Sequence, residues 1–100
     1  MKFVVLFEDD AAAGKDVRRT HMPAHLAFLE RHASKVQAAG PLRSSDGQGA
    51  GGLWLVEATD PSEVESLVKE DPFWAAGLRK SVRILTWSQV FADGRRLIDA

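Results

Sequence analysis

The chain has 100 residues, 45% of them hydrophobic and 27% charged, the balance of an ordinary globular domain. That length predicts one domain over 1–100 with one hydrophobic core, and is too short for two. A formal net charge of −1 offers no basic footprint for nucleic acid, and the absence of cysteine excludes disulfides and thiolate metal sites.

The opening MKFVVLFEDD contains an apolar run cut off by Glu8, Asp9 and Asp10, too short for a signal peptide. No stretch reaches the ~18 apolar residues of a membrane span, so a cytoplasmic setting without membrane contact is expected. Residues 2–8 are β-branched and aromatic and predict a strand; residues 9–16 read as a loop. From about Thr20 to Ala39 the pattern turns helical, with Met22, Leu26, Leu29, Ala33 and Val36 recurring at spacings of four, three, four and three. Thr20 is the expected N-cap, Pro23 falls in the first turn, and Gly40-Pro41 ends the helix.

Residues 42–45 suggest a short strand, 44–52 (SSDGQGAGG) a glycine-rich loop, and 53–58 (LWLVEA) a clear strand. Asp60-Pro61-Ser62-Glu63 opens a second helix, with Asp60 as N-cap, Pro61 at the first helical position and Glu63 reaching back as in a capping box. Val64, Leu67 and Val68 form its apolar face, and Asp71-Pro72 stops it. A turn through 73–77 leads to a last strand over 79–87, and the tail from about residue 88 mixes charge with Val90, Phe91, Leu97 and Ile98.

The order βαββαβ predicts an α+β ferredoxin-like sandwich: a four-stranded antiparallel sheet with both helices on one face. FVVLF and LWLV are apolar at successive positions, so both sheet faces carry hydrophobic side chains. Two helices cover one face. Val4, Leu6, Trp54 and Val56, or their alternates, would remain exposed unless a second copy packs sheet against sheet across a two-fold axis. At about 25 cal/mol per Å², burying a few hundred Å² per subunit would contribute several kcal/mol to such a homodimer. The alternative cover is the C-terminal tail.

PAHLAFL (23–29), AGPL (39–42), GAGGLWLVEA (49–58), DPFWAAGL (71–78) and RILTWSQVF (83–91) together resemble the YciI-like (YCII-related) family, in order and over nearly the whole chain. The resemblance implies a ferredoxin-like fold, a dimer closing into an α+β barrel, and a pocket built around a histidine of PAHL and an aspartate of DPF. Carried over, these are His25 and Asp71. It further implies lyase-type chemistry on small ring compounds, including removal of chloride from a chlorinated hydroxyquinol. Relatives often have an arginine directly before PAH. Here that position is Met22, so a substrate-holding arginine is either lost or replaced by Arg18 or Arg19.

His25 shares a helical face with Met22 and Leu29 and is expected to point toward the sheet. With the helix starting at Thr20, the ring would lie near its N-terminus, where the macrodipole opposes positive charge. A carboxylate from Asp71 on one ring nitrogen would fix the tautomer and stabilise the charged ring as a proton arrives. Such a dyad suits abstraction of an acidic proton beside a carbonyl or phenol. The competing reading is a structural histidine satisfied by a carboxylate, with Asp71 capping the turn before Pro72. His21, His25 and His32 lack an HExxH arrangement and a completing carboxylate, so no metal site is expected. The glycine-rich loop precedes a strand, where a phosphate cradle must open a helix, so no nucleotide role follows. Phe73 and Trp74, beside Asp71, are candidate pocket walls for a substrate.

The predicted function is a small cofactor-independent enzyme using His25 and Asp71 on a small cyclic or aromatic metabolite. The alternative is a non-catalytic domain of the same fold that binds a small ligand or serves as a dimeric accessory subunit.

Overall fold

The computed structural model describes residues 1–99. In chain order the elements are β1 (Lys2–Asp9), a 3-10 turn (Ala11–Ala13), α1 (Gly14–Arg31), β2 (Val36–Arg43), β3 (Gly49–Glu57), α2 (Pro61–Glu70), the short α3 (Pro72–Ala75), β4 (Arg79–Thr86), and a small ribbon of β5 (Phe91–Ala92) and β6 (Arg95–Arg96). Four strands form one antiparallel sheet in the order β2-β3-β1-β4, the ferredoxin-like arrangement.

Strand alternation decides which side chains meet the helices. Phe3, Val5 and Phe7 of β1 and Trp54 and Val56 of β3 are buried with Phe28 of α1 and Val64, Leu67 and Val68 of α2. The sheet's other face carries Val4, Leu6, Leu53 and Leu55, half-buried, and Leu85, more exposed. They adjoin through the pairs Val4↔Leu55, Leu6↔Leu53 and Val4↔Leu85. The second apolar face is therefore built from Val4 and Leu6 with Leu53 and Leu55, while Trp54 and Val56 belong to the helix side. Val90, Phe91, Leu97 and Ile98 are each more than half exposed, so the tail does not seal them against that face. No helix among the described residues is long and apolar enough to cross a membrane.

The second helix follows its caps. Asp60 accepts the Glu63 N–H at 3.0 Å. The Glu63 carboxylate reaches back one residue further than a capping box, accepting the Thr59 N–H at 3.1 Å and its hydroxyl at 2.7 Å.

The first helix departs from expectation at both ends. It starts at Gly14, not Thr20, with Pro23 in its interior. The reason lies upstream: the Asp10 carboxylate accepts the Ala12 N–H at 2.9 Å and its carbonyl accepts the Ala13 N–H at 3.0 Å, so Asp10 opens the 3-10 turn that runs into α1. The helix ends at Arg31, and Val36, which fits the helical spacing, is buried in β2 opposite Val56. Gly40-Pro41 stands inside β2. That strand lies at the sheet edge, where a missing N–H is tolerated, and a register shift follows Pro41. The glycine-rich segment is shorter as a loop than expected, since β3 already begins at Gly49. Gly51 has φ +86°, and a Cβ there would stand 1.8 Å from the Phe7 carbonyl oxygen, so β3 can approach β1 only with glycine at this position.

Candidate active site

The α1 residues Arg18, Met22, His25 and Leu29 recur at spacings of four, three and four, so they share the face turned to the sheet. His25 points inward beside Met22 and Leu29 as expected, whereas Leu26, predicted on the same face, is half exposed and Phe28 is buried in its stead. His25 lies eleven residues past Gly14, about three turns into the helix, where the macrodipole has little influence.

Asp71 arrives from the junction of α2 and α3, where it closes one helix and caps the next. Its Oδ1 accepts the Phe73 N–H at 3.2 Å and lies 2.7 Å from His25 Nδ1. Because Oδ1 already serves as an acceptor, the hydrogen-bond network assigns the ring proton to Nδ1. Nε2 then carries the free lone pair and makes no hydrogen bond among the described residues. His25 is 6% and Asp71 2% exposed. The Asp71-Pro72-Phe73 turn also supplies the ring beneath the dyad: Phe73 stacks on His25 with centroids 4.0 Å apart and planes at 18°. Trp54 stands beside it at 6.4 Å.

His25 lines a cavity of about 110 Å³ with Arg18, Met22, Pro41, Trp54 and Arg79. That volume is far below the ~300–1,000 Å³ typical of sites for drug-sized ligands, and of the order of the ~150 Å³ cavities that accept one benzene ring. A wider cleft of about 460 Å³, containing Lys15, Arg43 and Asp10, shares Arg18 and Pro41 with it.

Charge at the cavity is organised by Asp9. A register shift between Glu8 and Asp9 sets Asp9 opposite Arg79. Its two carboxylate oxygens accept from Arg79 Nη1 at 2.9 Å and Arg18 Nη2 at 2.5 Å. The Arg79 side chain is 4% exposed and its guanidinium lies 4.1 Å from the Phe7 ring centroid. Burial pushes the Arg79 guanidinium below the usual arginine range, and the bond to Asp9 opposes that shift.

Of the residues singled out in the sequence, His25, Asp71, Phe73 and Arg18 converge here. Arg19 does not: its side chain is 82% exposed and pairs with Asp16 on the outer face of α1. Trp74 points outward, about a third exposed, while Phe73 takes the inner position. Among the described residues no three His, Asp or Glu side chains converge as a metal site would require. Asp9 and Arg79 had no motif to mark them. Asp9 continues the inward parity of Phe3, Val5 and Phe7, which was a usable signal; Arg79 faces inward only because of the register shift.

No curated protein matches the chain significantly. Among solved structures it is similar to 5-chloro-2-hydroxyhydroquinone dehydrochlorinase (TftG) from Burkholderia phenoliruptrix AC1100, determined in complex with 2,5-dihydroxybenzoquinone. The two are 32% identical with a TM-score of 0.75, over 88% of this chain and 94% of that one. A family model for the YCII-related domain matches residues 1–88, and the chain belongs to that family.

Proposed function

We propose that this chain is a small-molecule enzyme in which His25 acts as general base and Asp71 orients it, on a small cyclic or aromatic compound bearing an acidic proton. One observation carries the reading: a buried His25–Asp71 pair at 2.7 Å whose second ring nitrogen has no partner among the described residues and whose ring lines a one-ring-sized cavity. His25 Nε2 takes a proton from a ring hydroxyl or an activated carbon. Asp71 stabilises the imidazolium that forms, and the same proton is returned to the substrate or follows a departing anion such as chloride. Similarity to the dehydrochlorinase supports elimination from a hydroxylated ring, with isomerisation as the alternative outcome of the same proton abstraction. Nothing in this scheme calls for a cofactor.

The apolar face of Val4, Leu6, Leu53 and Leu55 supports a homodimer packed sheet against sheet. A soluble, cytoplasmic protein accords with this reading.

The test is turnover of 5-chloro-2-hydroxyhydroquinone and its unchlorinated and carboxylated analogues, followed by chloride release and ultraviolet absorbance. Asp71→Asn and His25→Gln are each expected to lower turnover by about 10²–10⁴-fold. His25 ring resonances should respond both to Asp71→Asn and to an added ligand. If a compound binds and perturbs His25 but no panel member is turned over and both variants bind it equally, the domain is a non-catalytic binder.

A further inference from the structure

The ribbon of β5 and β6 lies past residue 88, where the match to the YCII-related model ends. It is nonetheless a specified structure. Asp93 and Gly94 take φ +53° and +75°, the two positive values of a type I′ turn, and Asp-Gly is a pair that favours that turn. The turn sets Phe91 opposite Arg96 and Ala92 opposite Arg95, and the Leu97 N–H donates to the Val90 carbonyl at 2.9 Å. Cross-strand partners share a face, so Val90 and Leu97 stand together on one side of the ribbon and Phe91 on the other.

The ribbon has no bed on its own chain. Val90, Phe91, Leu97 and Ile98 are each more than half exposed, and β5 and β6 pack on each other without substantial contact to the sheet or the helices. The Cα radius of gyration, 14.6 Å, exceeds the ~13 Å of a typical 100-residue domain, as a projecting element requires. A two-stranded ribbon by itself is marginally stable in water, so its apolar side chains call for a cover.

One other apolar surface of the chain is equally uncovered: the sheet face of Val4, Leu6, Leu53 and Leu55. Leu85 and Trp87 carry it along β4 toward the ribbon, Leu85 opposite Val4 and the Trp87 N–H on the Lys2 carbonyl at 2.9 Å. On the β2 side the face drops to a shelf. Ala38 and Gly40 lie opposite Leu55 and Leu53, and a Cβ at Gly40 would meet no atom within 4 Å. That shelf leaves room for side chains the size of Phe91 or Leu97. Charge is complementary as well. Arg95 and Arg96 form no ion pair among the described residues, and Glu8, at the end of this face, bonds only the Ser81 hydroxyl, at 3.1 Å.

Resting on the homodimer proposed above, we infer that the ribbon is an arm for a second copy of this chain, packed against the partner's Leu53 and Leu55 over the shelf of Ala38 and Gly40. Val4 and Leu6 remain for the sheet-to-sheet contact at the centre, and the arm takes the β2 side. A two-fold axis makes the exchange reciprocal, so both uncovered surfaces close within one pair and no further copy can add.

The chain has no cysteine, so introduced thiols report the contact without background. Phe91→Cys and Leu97→Cys, one for each face of the ribbon, are separately mixed with Ala38→Cys carrying a larger tag and oxidised mildly. A disulfide-linked species of mixed mass is expected from at least one of the two. In the full chain, Phe91→Ser combined with Leu97→Ser should raise the dimer dissociation constant by about tenfold or more, read by sedimentation, with an unchanged circular dichroism spectrum. The arm is overturned if neither mixture yields the mixed species, or if the ribbon cysteines link only to each other. An internal disulfide in a monomeric chain carrying both Phe91→Cys and Ala38→Cys also overturns it, because the ribbon would then cover its own sheet. A dimer that the double serine variant leaves equally tight removes the arm while the sheet-to-sheet dimer stands. A wild type that is monomeric at high micromolar concentration removes both.

Discussion

His25 lies almost flat on Phe73, 4.0 Å between centroids and 18° between planes, and the same turn that presents this ring also presents the Asp71 carboxylate to Nδ1. One tripeptide, Asp71-Pro72-Phe73, therefore fixes the histidine from its edge and from its face. Phe73→Leu keeps most of the volume and removes the stack, so it should cost about 0.5–1.5 kcal/mol in urea unfolding. Phe73→Ala should cost about 3–5 kcal/mol. If the stack also orients the base, Phe73→Leu lowers kcat more than it raises KM; equal stability with unchanged kinetics would remove Phe73 from the site.

Gly51 and Gly47 share φ +86° but differ in what surrounds them. Gly51→Ala drives a Cβ against the Phe7 carbonyl oxygen at 1.8 Å, where backbone must move, and is expected to cost more than about 3 kcal/mol. Gly47→Ala meets open space and should cost only the left-handed penalty, about 1–2 kcal/mol. Parallel urea titrations of the two variants check the difference; equal losses would mean that conformation alone, and not the close approach of β3 to β1, sets the requirement.

Glu63 ties α2 to the turn before β2. Bonds from Lys35 first, and then from Thr59, hold its carboxyl down from the ordinary 4.5 to about 2. Folding thus favours the ionised form. The associated stability is fully present above about pH 4.5 and is lost as pH falls toward about 2, because protonation breaks the bonds that lowered the value. Wild type should lose stability across that acid window, and Glu63→Gln should show a shallower fall there, read from thermal midpoints at a series of pH values. The side chain is at the surface, so added salt should weaken the part contributed by Lys35.

The open sheet face gives a prediction about assembly. Leu6 stands beside Leu53 at its centre, half-buried in the isolated chain. Leu6→Glu should convert a homodimer into monomer with little effect on the fold of each subunit, measured by light scattering and circular dichroism. A wild type that is monomeric at high micromolar concentration would end the dimer proposal.

The sequence by itself determined the order of elements, the four strands, the second helix with its Asp60 cap, and the candidates His25 and Asp71. These are local properties: alternation, helical spacing and capping chemistry act within a few residues and are visible there. It also marked a sheet with two apolar faces but left the parity open, and the structure selects Val4 and Leu6 on β1 with the alternates Leu53 and Leu55 on β3. The start of α1 is set by Asp10, a local cap outside the periodic segment, whereas only the tertiary structure decided where the helix ends, because the pairing of Val36 with Val56 overrides the helical spacing. The same holds for the interior of the site. Arg79 is turned inward by a register shift with β1, Asp9 is shared between cations nine and seventy residues away, and Arg19, next to Arg18 in the chain, faces solvent. Burial and charge pairing across such separations are products of strand register and helix rotation, and one residue of shift in either reverses which side chain reaches the cavity.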